Sequence, residues 1–248
     1  ANTLSEKRAR QFEAITRISS TIASVQNLQE LLPRITEAIS QQFGFYHVGI
    51  FLVDAGNQYA VLSAANSEGG KKMIKRHHQL KIGEQGMVGN VTSTGNPRVA
   101  LDVGEDSVYF TNPELPDTHS EMALPLKIGG TIIGALDVQS SESNAFTTED
   151  INTLSALANQ VSLAIQNARL FEQTAKLLSD SESIQRQYVR ETWSRLPKEE
   201  EFAGYRYTAL GAVEIAKIGN IETPDPSTHK EIKTPITIRG EAIGALSI

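Results

Sequence analysis

Residues 120–140 read SEMALPLKIGGTIIGALDVQS, and this stretch predicts two β-strands joined by a tight turn. On the first arm Met122, Leu124 and Leu126 alternate with other residues, which is the spacing of one strand face. The second arm, residues 132–138, is apolar almost throughout, as in a strand that is covered on both faces. The Gly129-Gly130 pair favours a hairpin because glycine tolerates positive φ. We therefore expect an antiparallel hairpin in the middle of a sheet.

A second copy of this pattern lies 110 residues further along the chain. Seven of sixteen aligned positions are identical between residues 123–138 and residues 233–248, including Pro125 with Pro235 and Gly134 with Gly244. Matching glycines indicate matching backbone requirements, although apolar hairpins with glycine turns also resemble one another in general. The chain stops inside the second strand of this copy. The sequence therefore predicts a fragment of a longer protein with at least two related units.

Composition excludes several classes of chemistry. The 248 residues carry a net charge of −6 and contain no cysteine. A chain without cysteine has no thiol nucleophile, disulfide, Cys-ligated zinc or thioether-attached chromophore, and we expect it to work in a reducing cytoplasm. The acidic balance argues against a nucleic-acid partner. No apolar run reaches the length that a membrane span needs.

Helical periodicity dominates the start of the chain. Residues 1–27 predict an amphipathic helix suited to dimerisation and signalling, with apolar residues at three- and four-residue spacing. A second helix follows, with Asn27 as its N-cap and Gly44 as its stop. Pro33 leaves two alternatives: the helix kinks there, or it begins near Leu32 with the proline in its first turn.

The middle of the chain predicts short strands and helices. We expect strands at residues 47–54, 59–66, 78–83 and 98–103, because these segments are rich in β-formers and bounded by turn residues. Short helices are expected at residues 67–76 and 86–94. Residues 104–119 predict a long loop, and loops of that length inside a compact domain are usually functional.

The last predicted helix is very long. Apolar residues keep a three-four spacing from Ile151 onward, and no proline occurs between Glu149 and Leu196, which gives a helix of about 70 Å. Such a helix outreaches its own domain, so we expect a homodimer through it. The segment SDSES at residues 179–183 predicts a break or a change of register. The residues expected to line the dimer helix are Leu154, Val161, Ile165, Ala168, Ala175 and Leu178.

These elements, in this order, resemble a GAF domain over about residues 28–172. The resemblance is carried by residues 51–54 (FLVD), 83–89 (GEQGMVG), 94–97 (TGNP), 120–126 (SEMALPL), 134–138 (GALDV), 146–147 (FT), 157–158 (LA) and 164–170 (AIQNARL). It implies an α/β fold of the α+β type: an antiparallel sheet of five to six strands with helices packed on it, GAF/PAS-like, and a long exit helix. Around that domain we expect an N-terminal helix at residues 1–27, a helical linker at 173–197 and a truncated, partial second GAF-like unit at 198–248.

The resemblance also implies a sensor or regulatory module of bacterial signal transduction, with a kinase or similar output domain outside this fragment. The family typically holds a small ligand between one sheet face and a cap of loops and helices, and commonly dimerises through its entry and exit helices. Free-methionine sulfoxide reductases share the fold but need thiols, so we expect no enzymatic activity. Two hypotheses remain: ligand binding shifts the dimeric exit helices, or a ligand-free domain serves as a dimerisation spacer.

A pocket under the cap is the expected binding site. We expect its wall, lid and floor to be formed by Arg98, Asp102, Tyr109, Phe110, His119, Glu121, Asp137 and Gln139. The structural alternative is that the aspartates hold loop backbone and that the two aromatic residues only pack the lid. No nucleophile–base pair, metal-ligand cluster or cofactor motif is evident, and single histidines such as His47 and His78 are more often structural than haem ligands.

Overall fold

The computed structural model describes residue 25 and residues 27–104, 112–194, 204–208, 211–215, 233–238 and 241–247. Its contacts divide the chain into two units, the first ending at Thr174 and the second beginning at Ala175. Nearly all of the predicted helix at residues 1–27, together with Tyr109 and Phe110, lies outside the described residues.

The first unit contains one six-stranded antiparallel sheet. Its strands are β1 (His47–Val53), β2 (Tyr59–Ala65), β3 (Gln79–Lys81), β4 (Arg98–Ala100), β5 (Ser120–Ile128) and β6 (Thr131–Ser140), in the spatial order β3-β2-β1-β6-β5-β4. The predicted antiparallel sheet of five to six strands is confirmed. β6 lies in the middle, as expected from its apolar sequence, and β5 lies one strand from the edge. β4 is shorter than the predicted strand at residues 98–103.

Two features of the β5–β6 hairpin depend on glycine. Gly129 and Gly130 both have positive φ, 53° and 87°, which confirms the predicted turn. At Gly134 of β6, an added Cβ would lie 2.1 Å from the carbonyl oxygen of Phe51 on β1. The two central strands therefore approach each other at a point where no side chain fits.

The described residues also form four helices: α1 (Leu28–Phe43), α2 (Glu68–Lys75), α3 (Gly86–Thr94) and α4 (Thr148–Ser194). The last of these begins in the first unit and continues past Thr174. The side chain of Asn27 accepts a hydrogen bond from the backbone N–H of Gln29 at 2.8 Å, which confirms it as the N-cap of α1. Because α1 begins at Leu28 and carries Pro33 inside it, the alternative start near Leu32 is wrong.

The sheet separates two hydrophobic cores. The helix-facing core lies between the sheet and the helices α1 and α4, and it includes Leu31, Ile35, Leu136, Val138, Leu154 and Val161. The cap-facing core lies on the other side and includes Phe51, Met73, Met87, Val88, Leu115 and Ala135. We use "cap" for α2, α3 and residues 112–119. Alternate residues of β6 therefore serve different layers.

α4 is a single helix of 47 residues, so the predicted break at residues 179–183 is wrong. The structure also reassigns four of the six residues expected at a dimer seam: Leu154, Val161, Ile165 and Ala168 are buried in the helix-facing core of their own domain. Ala175 and Leu178 are exposed. Among the α4 side chains that the structure describes, the exposed large apolar ones are Leu163, Leu170, Phe171, Leu177, Leu178, Ile184 and Tyr188. Within the described residues, no helix has both the length and the apolar character needed to cross a membrane.

Beyond α4, the second unit contains two described hairpins. They are β7 (Gly204–Thr208) with β8 (Gly211–Ile215), and β9 (Lys233–Ile238) with β10 (Glu241–Ser247). Pro235 pairs with Ala245, as Pro125 pairs with Ala135 in the first unit. The sequence repeat at an offset of 110 residues is therefore also a repeat of strand register.

Candidate functional site

Polar side chains cluster on the cap-facing side of the central strands. Asp137 and Gln139 of β6 share this side with Ala135, because side chains alternate along a strand. Strand pairing places His47 of β1 opposite Gln139, and Glu121 of β5 opposite the same residue. These four polar side chains are all buried. Three neighbouring strands thus bring two carboxyl groups, an amide and an imidazole together under the cap.

A small cavity separates this polar cluster from the cap. Its volume is about 30 Å³, which is space for one or two water-sized groups. Apolar side chains from the sheet and the cap form more than half of its wall, and the carboxyl groups, the amides of Gln139 and Asn112 and the His78 imidazole form its polar part. The lining residues include Phe51, Met73, His78, Leu80, Met87, Val88, Asn112, Leu115, Glu121, Asp137 and Gln139.

A chain of hydrogen bonds holds one oxygen of Asp137. The amide N–H of Gln139 donates to Asp137 Oδ2 at 2.7 Å, and the hydroxyl of Thr118 donates to Gln139 Oε1 at 2.6 Å. The other oxygen, Asp137 Oδ1, is buried without a hydrogen-bond partner in the described structure. A buried acceptor of this kind costs about 1–3 kcal/mol of stability when nothing pairs with it.

His47 does not neutralise Asp137. Its Nδ1 lies 2.6 Å from the hydroxyl of Ser67, which also accepts a hydrogen bond from the backbone N–H of Gly70. Its Nε2 lies 3.8 Å from Asp137 Oδ2, beyond hydrogen-bond distance, and has no partner among the residues described. Burial lowers the pKa of the His47 imidazole to about 4. The ring is therefore neutral at pH 7.

Burial has the opposite effect on the neighbouring acid. It raises the pKa of the Asp137 carboxyl to about 7, while hydrogen bonds with Gln139 and Glu121 act in the other direction because they favour the charged form. A hydrogen bond between two carboxyl groups requires a proton. The Asp137 carboxyl can therefore take up or release a proton near neutral pH.

The structure brings together only part of the predicted pocket. Glu121, Asp137 and Gln139, the predicted floor, line one cavity. Arg98 is partly buried on the edge strand β4 and does not line the cavity. Asp102 is exposed and accepts a hydrogen bond from the backbone N–H of Gly104 at 3.0 Å, which is the structural alternative for this residue.

Fewer of the residues predicted to form the lid are found at the cavity. His119 is exposed, and its Nδ1 lies 3.0 Å from the carbonyl oxygen of Asp117. Tyr109 and Phe110 lie outside the described residues. Residues that sequence reasoning did not place in the pocket include Phe51, Met73 and Met87. The sequence did contain a signal for Phe51. This residue follows His47 by four positions and Gly49 by two, so all three lie on the same face of β1.

No group of three or more histidine, aspartate or glutamate side chains in the described ranges is placed to hold a metal ion. The chemistry that the cluster offers is therefore hydrogen bonding and charge, from two carboxyl groups, one amide and one neutral imidazole in a mostly apolar enclosure.

Comparisons with known proteins show which of them are similar to this chain in sequence and in fold. The family model described as a GAF domain matches residues 25–166, more than half of the chain. An uncharacterized sensor-like histidine kinase of Chloroflexus aurantiacus is 25% identical over 76% of this chain and 31% of its own length. The formate hydrogenlyase transcriptional activator of Escherichia coli is 23% identical over 67% of this chain and 25% of its own length. The chain thus spans a third or less of these two relatives.

A solved structure shows the same fold. The free methionine-R-sulfoxide reductase of Neisseria meningitidis, in complex with its substrate, superposes with a TM-score of 0.58 at 24% identity, over 66% of this chain and 93% of that chain. At this identity the likeness extends to the fold alone, so it does not transfer the enzymatic activity.

Proposed function

The chain belongs to the GAF domain family, and from that premise we propose that it is a small-molecule-sensing regulatory domain of a signal-transduction protein. The similarity to a sensor-like histidine kinase and to a transcriptional activator supports the regulatory role. The observation that carries the sensing role is the buried polar cluster. Asp137 lines the cavity, and its Oδ1 is buried without a hydrogen-bond partner in the described structure, as in a site that a ligand completes.

The proposal couples the cavity to α4 through strand β6. Asp137 and Gln139 face the cavity, whereas Leu136 and Val138 of the same strand contact the helix-facing core that α4 helps to form. Ser162 of α4 also accepts a hydrogen bond from the backbone N–H of Lys127 at 2.9 Å. A ligand would shift α4 only by the difference between its affinities for the two arrangements of the helix.

Dimerisation through α4 and an output domain outside this fragment remain part of the proposal. Leu163, Leu170, Leu177 and Ile184 are all exposed and follow one another at seven-residue intervals, which suits a two-helix seam. This set replaces the four residues that the domain buries in its own core. We place the protein in the cytoplasm, and we propose binding rather than catalysis because the chain has no thiol.

A thermal-shift screen tests the sensing role. The whole chain is titrated with a panel of metabolites, and at least one is expected to raise the Tm in a concentration-dependent way, because a ligand that binds only the folded state stabilises it. Asp137→Leu, which closes the polar side of the cavity, should abolish that shift. A panel without any such compound would contradict the sensing role.

The second candidate is a ligand-free dimerisation spacer. The exposed heptad stripe on α4 and the small volume of the cavity favour it. Sedimentation at tens of micromolar should give a dimer, and Leu170→Glu combined with Leu177→Glu should give a monomer. Lys176→Glu, an exposed change between these positions, is the control and should leave the dimer intact. A dimer without any ligand in the screen would favour the spacer, and a monomeric wild type would contradict dimerisation in both.

The remaining domain organisation is also proposed. We assign residues 1–27 to a dimerisation helix, 28–172 to the GAF domain, 173–197 to a helical linker and 198–248 to a partial second GAF-like unit. The shared register of the β5–β6 and β9–β10 hairpins supports the last assignment.

A further inference from the structure

We propose that the protonation state of Asp137 decides which nitrogen of the His47 imidazole carries the hydrogen, and thereby sets the direction of the hydrogen bond between His47 and Ser67 at the start of α2. This inference goes beyond ligand sensing, because it makes the domain respond to pH without any ligand. It starts from buried polar groups that connect strand β6 to helix α2.

These groups form a row that crosses strand β1. Asp137 Oδ2 lies 3.8 Å from His47 Nε2, and His47 Nδ1 lies 2.6 Å from the hydroxyl oxygen of Ser67. Ser67 is the N-cap of α2, and its hydroxyl oxygen accepts a hydrogen bond from the backbone N–H of Gly70 at 3.0 Å. A change of charge at Asp137 therefore acts first on the imidazole, and the imidazole acts on the N-cap of α2.

Close packing holds the imidazole in this row. The His47 side chain is fully buried. A Cβ added at Gly70 of α2 would lie 2.9 Å from His47 Cε1, and one added at Gly49 of β1 would lie 3.1 Å from His47 Nε2. Both glycines thus lie against the ring, which has little space in which to turn. Each ring nitrogen therefore keeps its neighbour, and only the position of the hydrogen changes.

The charge of Asp137 determines which position of that hydrogen is favoured. A neutral imidazole carries one hydrogen, on either Nδ1 or Nε2. When Asp137 is ionised, the hydrogen is favoured on Nε2, because the N–H dipole then faces a carboxylate across 3.8 Å of buried space that water does not screen. When Asp137 is protonated, a hydrogen on Nε2 would be a buried donor without an acceptor, so Nδ1 is favoured.

The position of the hydrogen sets the direction of the bond at α2. With the hydrogen on Nδ1, His47 donates to Ser67; with the hydrogen on Nε2, the Ser67 hydroxyl donates to Nδ1 instead. The proton that Asp137 loses goes to solvent, and the ring keeps one hydrogen throughout. A hydroxyl that donates is also a better acceptor, so the Gly70 N–H is bound more strongly when Asp137 is charged. Raising the pH thus strengthens the N-cap of α2.

Asp137 is the group beside His47 that titrates near neutral pH. Burial raises the pKa of the Asp137 carboxyl to about 7 and lowers the pKa of the His47 imidazole to about 4, so the ring stays neutral while the acid titrates. Burial also lowers the pKa of His78. The charged groups on the surrounding elements have interactions of their own, and they are Glu121 of β5, Arg98 of β4, the exposed Glu68–Lys71 pair of α2 and Glu114, which pairs with Arg76.

Nuclear magnetic resonance of the imidazole tests the proposal directly. The whole chain is labelled with nitrogen-15 and studied from pH 5.5 to 9, because ring nitrogens with and without hydrogen differ in chemical shift. The His47 signals are assigned by elimination with single glutamine variants of the other four histidines, which are His77, His78, His119 and His229. Wild type is compared with Asp137→Asn and with Glu142→Gln, a change at an exposed carboxylate that serves as the control.

We expect the His47 hydrogen to move from Nδ1 to Nε2 with a midpoint near pH 7, and the Gly70 amide resonance to follow with the same midpoint. Both changes should be absent in Asp137→Asn and preserved in Glu142→Gln. A hydrogen whose position does not depend on pH would overturn the proposal. So would a movement that persists in Asp137→Asn, or a His47 ring that carries hydrogen on both nitrogens at pH 6.

A second comparison keeps the test decisive if Asp137→Asn does not fold. In wild type alone, the midpoint of the His47 change must equal the midpoint of the Asp137 carboxyl titration, and different midpoints would overturn the proposal. Ligand sensing is judged separately, from the metabolite screen, because that screen is carried out at constant pH.

Discussion

The two faces of strand β6 differ in chemistry although they are built from neighbouring residues. Leu136 and Val138 face α1 and α4 and are fully buried among apolar side chains of the helix-facing core. Asp137 and Gln139 face the cap, where the core is interrupted by buried polar groups. One face provides stability, and the other gives up some stability to keep polar groups beside a cavity.

The buried polar atoms on the two sides of the sheet differ in whether they have hydrogen-bond partners. On the helix-facing side, the Ser162 hydroxyl accepts from Lys127 and donates to the Ala158 carbonyl oxygen at 2.8 Å, so it is fully used. On the cap-facing side, Asp137 Oδ1 and His47 Nε2 have no partner among the described residues. Each unpaired buried group costs about 1–3 kcal/mol. Such a cost is typical of a functional site rather than of a structural core.

The largest effect is expected from damage to the helix-facing side. Leu136→Ala removes a fully buried side chain from the helix-facing core and should lower the free energy of unfolding by about 2–5 kcal/mol, because a cavity is left behind. Urea unfolding measures it. Leu101→Ala, at a side chain that is 43% exposed, is the matched control and should cost less than about 1 kcal/mol. Equal losses at both positions would remove the distinction between core and surface.

A change on the cap-facing side should act through pH. Burial raises the pKa of the folded Asp137 carboxyl to about 7, whereas the unfolded chain loses this proton near pH 4. Between these values the folded state holds more protons, so the contribution of Asp137 to the free energy of unfolding falls as pH rises. Asp137→Asn has no proton to lose. The stability of this variant relative to wild type should therefore increase by on the order of 3 kcal/mol from pH 4 to pH 7.

The difference in stability between wild type and Asp137→Asn separates the contribution of Asp137 from that of His47. Burial lowers the pKa of the folded His47 imidazole to about 4, so its contribution rises with pH between about 4 and 6.5. That contribution is present in both proteins and cancels in the difference to first order. Glu142→Gln, at an exposed carboxylate, should show no such pH-dependent difference. A flat difference for Asp137→Asn would mean that its carboxyl has an ordinary pKa in the folded state.

The hydrogen-bond chain behind Asp137 should give the smallest effect. Thr118→Val removes the donor to Gln139 Oε1 and leaves that buried oxygen unpaired, which should cost about 1 kcal/mol in urea unfolding. Thr174→Val is the matched control, since this exposed hydroxyl donates only to a carbonyl of its own helix, that of Leu170. A loss at Thr118 no larger than that at Thr174 would mean that the chain does not hold Gln139.

The two hairpins of the repeat separate what the fold requires from what the site requires. Pro125, Gly134 and Leu136 have identical counterparts at Pro235, Gly244 and Leu246. Asp137, in contrast, corresponds to Ser247. The backbone signals of the strand pair are thus repeated, and the buried carboxyl group is not, as expected if Asp137 serves the ligand of the first unit.

Much of this arrangement could be predicted from the sequence, because periodicity fixes which residues of one strand share a face. The alternation of β6 placed Asp137 and Gln139 together. It could not place His47 beside them, since this depends on the register between β1 and β6, which involves residues about 90 positions apart. The spacing of apolar residues along a helix also does not show which element the helix packs against. Leu154 and Val161 pack on their own sheet, whereas the same spacing had suggested a second helix.

The most direct test of the buried acidic site is the carbon-13 chemical shift of the Asp137 carboxyl as a function of pH, assigned by its absence in Asp137→Asn. We predict a midpoint near pH 7, because burial disfavours the charged form of this carboxyl group. A midpoint near pH 4, the ordinary value of an aspartate, would contradict the account.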